Sequence, residues 1–223
     1  MTRDELARKM DVAILRPEST GAEVRAGCRL GIAHRVKSVI VLPRWLDEAV
    51  EALRGNKVLP SVVIGFPFGG ETASTKIASA KEAAKRGALE LDMVLAIGAL
   101  RDGRKDLVRD EIHGVVHAAK AVNPKALVKV ILETCLLDDE QKKLGCELAE
   151  SAGADFVKTS TGFGARGATV EDVRLLRATV SPHVGVKASG GIRDWVFARA
   201  LIAAGADRIG CSDPATILVG APK

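Results

Sequence analysis

Short runs of β-branched and other apolar residues alternate along the chain with longer stretches in which apolar residues recur at helical spacing. The short runs predict eight strands, at residues 13–15, 38–42, 58–64, 89–95, 126–132, 156–158, 185–188 and 208–210. The longer stretches predict helices, among them 71–86, 106–122, 138–152, 171–180 and 193–204. Eight strands, each followed by a helix, are typical of the (β/α)8 TIM barrel of the α/β class.

A doubly wound parallel sheet is the alternative arrangement of such elements. A dinucleotide-binding sheet of that kind is expected to carry G-x-G-x-x-G after its first strand, and the sequence has none there. Gly-Ala pairs at 87–88, 153–154 and 205–206 favour the barrel, because glycine lets a helix end and turn tightly into the next strand. No linker rich in Pro, Ser or Gly divides the chain, so we expect residues 1–223 to form a single barrel domain.

Composition and charge exclude several classes of function. Although 33 Lys and Arg against 28 Asp and Glu give a net charge of +5, the two signs are interleaved, with no basic arm for nucleic acid. Aromatic residues are scarce, at 3%, which argues against stacking platforms for single-stranded nucleic acid. Residues 1–10 are too polar for a signal peptide, and no apolar run reaches the roughly 18 residues that span a bilayer. We expect a cytoplasmic protein with neither nucleic-acid nor membrane partners.

The cysteines predict neither a metal site nor disulfides. The chain has four of them: Cys28, Cys135, Cys146 and Cys211. They form no C-x-x-C pair and have no neighbouring histidine, so neither zinc nor a disulfide framework is indicated.

Lysines interrupt three successive apolar strands: Lys129, Lys158 and Lys187. Any one of them could be an ion-paired or snorkelling side chain, but three together indicate a shared cavity. Desolvation and mutual repulsion lower the pKa of clustered amines, and a partly neutral amine is a nucleophile for carbonyl substrates. Three carboxylates accompany them: Asp92 within the fourth strand, Asp11 just before the first, and Glu133 at the end of the strand that carries Lys129. Asp92 could relay protons, neutralise a lysine, or do both.

Glycine-rich turns follow the late strands and resemble the phosphate site common in barrels. Their candidate phosphate-binding residues are Gly162, Ser189, Gly190, Gly191 and Ser212. Each turn alone is weak evidence, since such connections need glycine anyway. Together with the lysines they indicate an enzyme that forms an imine with a small phosphorylated molecule.

Several segments resemble the deoxyribose-phosphate aldolases, class I aldolases that cleave 2-deoxy-D-ribose 5-phosphate. The most specific are V-K-V-I-L-E-T-C-L-L (128–137), G-A-D-F-V-K-T-S-T-G-F (153–163) and G-V-K-A-S-G-G-I-R (185–193). The resemblance implies a Schiff base on Lys158, whose pKa Lys187 lowers, and proton transfer by Asp92 with Lys187 through an ordered water. It also implies three residues that position the substrate and the cavity charges: Lys129, Asp11 and Thr159.

The same resemblance implies the products D-glyceraldehyde 3-phosphate and acetaldehyde, formed with no metal or organic cofactor. The ligands would be a sugar phosphate and aldehydes, and the protein would be a homo-oligomer, either a dimer or a tetramer.

The sequence departs from the family pattern at four positions. Ala13 stands where a threonine is common, and Ile40 and Leu42 replace a cysteine and a polar residue. Asp213 replaces the second serine of a phosphate-binding pair; it would either repel a phosphate or cap the final helix together with Pro214. Two alternatives follow: the same imine chemistry on a different or unphosphorylated aldehyde, or a non-catalytic barrel that binds a sugar phosphate.

Overall fold

Eight parallel strands form a closed barrel in the computed structural model, which describes residues 1–222. The strands are β1 (Met10–Ile14), β2 (Ser38–Val41), β3 (Leu59–Ile64), β4 (Glu90–Val94), β5 (Leu127–Ile131), β6 (Phe156–Lys158), β7 (Gly185–Ser189) and β8 (Arg208–Cys211). Each strand pairs with its neighbours in sequence order, and β8 returns to pair with β1. The predicted (β/α)8 TIM barrel is confirmed.

Helices lie between the strands and cover the outside of the barrel. They are α1 (Arg3–Ala7), α2 (Gly21–His34), α3 (Leu46–Leu53), α4 (Ala73–Lys85), α5 (Ile97–Arg101), α6 (Lys105–Val122), α7 (Asp139–Ser151), α8 (Val170–Thr179), α9 (Trp195–Ala203) and α10 (Pro214–Leu218). The five predicted helices correspond to α4, α6, α7, α8 and α9, with ends that differ by two residues or fewer. Across residues 1–222, no helix is both long and apolar enough to cross a membrane.

The Gly-Ala pairs end their helices as predicted. Gly87, Gly153 and Gly205 have φ angles of 100°, 84° and 113°, in the left-handed region that favours glycine. The amide of the alanine that follows each one donates to a carbonyl five residues back, at 3.0 Å in all three cases. This hydrogen bond satisfies a carbonyl at the helix end and turns the chain into the next strand.

The first strand begins earlier than predicted. β1 starts at Met10 and ends at Ile14, so Asp11 lies within the strand instead of before it, and Leu15 lies outside. The apolar pattern misplaced the strand because a buried aspartate interrupts it. Asp11 is tolerated there because Lys187 and Arg208 reach it from β7 and β8.

Strand register brings the charged side chains into neighbouring positions. Lys158 of β6 is level with Lys187 of β7, which is level in turn with Arg208 of β8. Asp92 of β4 is level with Lys129 of β5. Most apolar side chains fill the space between strands and helices, whereas a small second apolar cluster around Ile40 lies apart from that core.

Candidate active site

The cavity that holds most of the predicted residues opens at the carboxyl ends of the strands and has a volume of about 370 Å³. The predicted residues that line it are Asp11, Lys158, Gly162, Lys187, Ser189, Gly190, Gly191 and Ser212. A larger cleft, about 680 Å³, lies at the other end of the barrel, where its lining is basic and apolar. Barrel enzymes carry their chemistry at the carboxyl ends of the strands, so the smaller cavity is the candidate active site.

Lys158 is the last residue of β6, and its amine reaches this cavity. Its Nζ donates to Asp92 Oδ2 at 2.7 Å, and only 3% of the side chain is exposed. Burial lowers the pKa of Lys158 to about 8; Asp92 opposes that change, and the Lys187 ammonium adds to it. At pH 7 roughly one amine in ten is then neutral, which is several hundred times the fraction at an ordinary lysine pKa.

Lys187 contacts two carboxylates at once. Its Nζ lies 2.7 Å from Asp92 Oδ2 and 2.5 Å from Asp11 Oδ2. The resemblance implied a water between Lys187 and Asp92, but the structure places the two groups in direct contact. Burial raises the pKa of Asp92, yet Lys129, Lys158 and Lys187 outweigh burial and hold that pKa well below its usual range. Near neutral pH the resting Asp92 is therefore an anion shared by all three ammonium groups.

Lys129 lies deeper in the barrel and is fully buried. Its Nζ is 2.7 Å from both Asp92 Oδ1 and Glu90 Oε2, and 3.8 Å from Asp11 Oδ2. The expectation that clustering lowers the pKa of every lysine is wrong for Lys129. Burial does lower it, but these three carboxylates outweigh burial and raise the pKa above the usual lysine value. Lys129 therefore stays charged and holds Asp92 in place.

Arg208 and Glu90 belong to the same group of charges, and sequence reasoning missed both. Arg208 Nη1 donates to Asp11 Oδ1 at 2.5 Å, and its two Nη atoms donate to the two Glu90 oxygens at 3.1 and 3.2 Å. Glu90 precedes Asp92 by two residues in β4, so strand alternation places both on one face. That alternation is the signal that would have found Glu90.

Six of these groups form a closed ring, here called the charge ring, in which cations and anions alternate. Its members, in order of contact, are Arg208, Glu90, Lys129, Asp92, Lys187 and Asp11. Lys158 bonds to Asp92 from outside the ring. The ring places each carboxylate between two cations inside the barrel, where isolated charges would be costly.

The predicted phosphate-binding residues surround the mouth of the cavity. Gly162, Gly190 and Gly191 have φ angles of 88°, 87° and 76°, which permits turns that an L side chain would strain. Arg16 and Arg193 line the same cavity and are exposed. No binding role for either followed from the sequence, although Arg193 lies two residues after Gly191 and Arg16 three residues after Ala13. Their guanidinium groups supply the positive charge that glycine loops lack.

Thr159 does not line the cavity, although it was predicted to position the substrate. It is fully buried, and its hydroxyl donates to the Ser189 carbonyl at 3.3 Å and accepts from the Ser189 amide at 3.2 Å. The hydroxyl therefore joins β6 to β7. Its link to the cavity is indirect, through the position of Ser189.

Glu133 anchors the loop that follows β6. It is buried with a φ of 55°, and its carboxylate accepts from the Thr161 amide at 3.3 Å and from the Thr161 hydroxyl. The Thr161 hydroxyl in turn accepts from the Phe163 amide at 3.0 Å, and Phe163 lines the cavity. This chain of bonds fixes the loop that carries Gly162.

Asp213 caps the final helix, which confirms the capping interpretation. Its carboxylate accepts from the Ala215 amide at 2.9 Å and from the Thr216 hydroxyl at 2.6 Å, with Pro214 at the first helical position. These donors hold the pKa of Asp213 below its usual range. The carboxylate is thus directed to its own helix, while the preceding Ser212 lines the cavity.

Three of the four departures from the family pattern, all except Asp213, lie on an apolar wall of the cavity. Ala13, Leu15 and Ile40 line the cavity, and Leu42 packs against the same small cluster. The lysines reach the cavity from β6 and β7, whereas this wall comes from β1, β2 and the turn after β1. The cavity therefore has one charged and one apolar side.

The cysteines are free thiols, and within residues 1–222 no group of three or more His, Cys, Asp or Glu side chains is placed to hold a metal ion. Cys211 lines the cavity, but burial raises the pKa of its thiol to about 12. The thiol is therefore neutral near pH 7 and a poor nucleophile.

Comparisons with known proteins agree on one group of enzymes. A family model described as DeoC/LacD family aldolase matches residues 6–212. A deoxyribose-phosphate aldolase of Geobacillus sp. (strain WCH70) is 48% identical over 217 residues, covering 97% of this chain and 96% of that protein. One of Bacillus mycoides (strain KBAB4) is 48% identical over 218 residues, covering 98% and 96%. The tetrameric deoxyribose phosphate aldolase structure from Aeropyrum pernix superposes with a TM-score of 0.91 at 34% identity, covering 98% of this chain and 91% of that one. The region matched by the family model contains the whole charge ring and Lys158.

Proposed function

This chain belongs to the DeoC/LacD family of aldolases, and from that premise we propose that it cleaves 2-deoxy-D-ribose 5-phosphate reversibly to D-glyceraldehyde 3-phosphate and acetaldehyde. The observation that carries the proposal is Lys158, a buried lysine with a pKa lowered to about 8 that reaches a cavity with glycine-rich loops at its mouth. An amine of that pKa is both protected from solvent and partly neutral, as imine formation requires.

In the proposed cycle, the neutral Lys158 amine adds to C1 of the open-chain sugar, and water leaves as the imine forms. The protonated imine accepts the electron pair of the C2–C3 bond when the C3 hydroxyl gives up its proton. D-Glyceraldehyde 3-phosphate departs, and an enamine of the two-carbon unit remains. Protonation at C2 and hydrolysis by water release acetaldehyde and restore the free amine.

Lys187 and Asp92 are the proposed proton-transfer pair. Lys187 lines the cavity beside Lys158, and its direct contact with Asp92 gives it an anion with which to exchange a proton. Lys129 and Asp11 are proposed to position these groups, and Thr159 to support them through Ser189. In this assignment Lys158 and Lys187 each lie one hydrogen bond from Asp92.

The phosphate is proposed to bind at the opposite end of the cavity from the imine. Gly162, Gly190 and Gly191 bring backbone amides to the mouth without side chains in the way, and Ser189 and Ser212 add hydroxyl-bearing residues. Exposed Arg16 and Arg193 would attract the dianion. The five-carbon sugar phosphate would then extend through the cavity from the imine on Lys158 to this phosphate site.

Borohydride trapping with acetaldehyde tests the nucleophile. The expected result is one two-carbon label, mapped to the peptide that contains Lys158, and none in the K158L variant. Cleavage activity that survives in K158L, or a label on another lysine, would refute the assignment. A chain that binds sugar phosphate but has no cleavage activity would instead be the non-catalytic barrel.

The apolar wall supports one alternative, the same imine chemistry on an unphosphorylated aldehyde. Ala13, Leu15 and Ile40 present no hydrogen-bonding groups to a hydroxylated substrate. Comparing kcat/KM for deoxyribose 5-phosphate and free deoxyribose decides between the two. A ratio far above one supports the phosphorylated substrate, and a ratio near one supports the alternative.

The remaining expectations belong to the same proposal. Residues 1–223 act as one barrel domain, in a cytoplasmic homo-oligomer of two or four chains, without metal or organic cofactor. A tetramer is supported by the deoxyribose phosphate aldolase from Aeropyrum pernix, whose structure is tetrameric. Sedimentation of the purified chain separates dimer from tetramer.

A further inference from the structure

Arg208 and Glu90 complete the charge ring. Arg208 hydrogen-bonds to Asp11 and, with both Nη atoms, to Glu90. Lys129 also lies between these two carboxylates, but its Nζ is 3.8 Å from Asp11 Oδ2. Glu90 passes the contact on to Lys129 at 2.7 Å. Both side chains are almost completely buried, and the Arg208 guanidinium lies 5.4 Å from the centre of the Phe156 ring. Neither side chain lines the cavity, so neither touches the substrate directly.

Charge counting sets Lys158 apart from the other cations. The ring contains three carboxylates and three cations and is neutral by itself. Lys158 adds a fourth cation with no carboxylate of its own, because Asp92 already serves Lys129 and Lys187. Loss of one proton from the group therefore restores neutrality.

The ring also decides which cation loses that proton. A guanidinium does not deprotonate in this range, so Arg208 keeps its charge. Lys129 and Lys187 each contact two or more carboxylates, whereas Lys158 contacts one. Beyond these groups, the cavity is lined by Cys211, which is neutral near pH 7, and by Arg16 and Arg193, whose charges do not change in this range.

We propose that Arg208 and Glu90 are positioning residues which, by closing the charge ring, make Lys158 the amine that gives up its proton. The inference rests on the proposed role of Lys158 as the Schiff-base nucleophile. Arg208 supplies the permanent positive charge that offsets Asp11 and Glu90, and Glu90 supplies the anion that keeps Lys129 charged. Each acts on the substrate only through Lys158.

Substituting the two residues should move the pH dependence of imine formation in opposite directions. R208M leaves the ring one cation short, so Lys158 holds its proton to higher pH. The midpoint of the pH profile of labelling then moves up, and the labelling rate below the wild-type midpoint falls about threefold or more. E90Q leaves the ring one anion short, so the midpoint moves down and labelling at the same pH rises. R208K keeps the charge, so its midpoint stays closer to that of the wild type than the midpoint of R208M does.

The measurement is the initial rate of borohydride-trapped acetaldehyde labelling from pH 6 to 11, with the label mapped to its lysine. The control is K142M, which removes a buried cation from an ion pair with Asp172 at 2.8 Å, outside the ring. We expect its midpoint to match the wild type. General damage to the fold would lower the labelling rates of R208M and E90Q at every pH without moving the midpoints of their pH profiles apart.

Two kinds of failure remain distinguishable. A label away from Lys158 in the wild type overturns the proposed function. A label on Lys158 with R208M and E90Q midpoints that stay in place, or move the same way, overturns only the role of the ring. If R208M does not fold, E90Q, which preserves the size of the Glu90 side chain, decides alone: its midpoint should lie below that of the wild type, and a midpoint that stays in place or rises overturns the role of the ring.

Discussion

Replacement of Lys187 by Met should raise the pKa of Lys158 and suppress imine formation near neutral pH. The Nζ atoms of both lysines lie 2.7 Å from Asp92 Oδ2, so they are at most about 5.4 Å apart. At an effective dielectric constant of about 20, two unit charges at that distance repel by about 3 kcal/mol. This energy corresponds to a change of about 2 in pKa.

Without Lys187, the pKa of Lys158 should therefore rise from about 8 to about 10. Asp92 also loses one of its three ammonium partners, which acts in the same direction. The neutral fraction of Lys158 at pH 7 then falls about 100-fold. K187R keeps a cation at the same position, so its pKa for Lys158 should stay near the wild-type value.

The assay is the pH dependence of borohydride-trapped labelling by acetaldehyde, which reports imine formation and not the later proton transfers in which Lys187 is proposed to act. The expected profile of K187M is displaced to higher pH, with wild-type labelling recovered above about pH 10. If K187M folds and its midpoint stays within a few tenths of a pH unit of the wild type, repulsion between the two lysines does not set the pKa of Lys158.

Three further predictions concern stability and phosphate binding. K158M should be about 3 kcal/mol more stable than the wild type at pH 7. Burial lowers the folded-state pKa of Lys158 from 10.5 to about 8, so the stability of the wild type rises between pH 8 and pH 10.5 and the difference from K158M becomes smaller. Denaturant unfolding at pH 7 and pH 10 measures this difference, and an equal difference at both pH values would contradict the prediction. G190A should raise KM for deoxyribose 5-phosphate at least several-fold, because its Cβ would lie 2.9 Å from Gly167 Cα at a φ of 87°; steady-state kinetics with an unchanged KM would exclude this loop from phosphate binding. D213A should lower Tm by about 2–4 °C through loss of a helix cap worth about 1 kcal/mol, without changing that KM; a lower KM would mean that Asp213 does repel the phosphate.

Local sequence patterns were sufficient for most of the architecture. Alternating apolar runs and helical stretches predicted the strands and the five helices α4, α6, α7, α8 and α9, because each element buries one face and carries its own period. The Gly-Ala pairs at 87–88, 153–154 and 205–206 predicted the helix ends, since a left-handed turn at those places needs glycine. The exception was β1, where Asp11 interrupts the apolar run and only partners from β7 and β8 make burial possible.

For the site, the sequence by itself determined which strands carry unusual charges. Lys129, Lys158 and Lys187 were recognisable because a cation in an apolar strand needs a reason to be there. Their spacing along the chain could not tell which of them would lose its proton. The family resemblance indicated Lys158, but the strand pattern alone gave three lysines in apolar strands, and repulsion was expected to lower the pKa of all three.

Only the tertiary structure separated the three lysines, because the pKa of an amine depends on how many carboxylates it meets. Barrel closure brings Arg208 of the last strand to Asp11 of the first and to Glu90 of the fourth, a contact between residues up to 197 positions apart. Strand register then gives Lys129 three carboxylate neighbours and leaves Lys158 with one. Coulomb energies fall off with distance in space and not along the chain, so the pattern of charges became a mechanism only when the barrel closed.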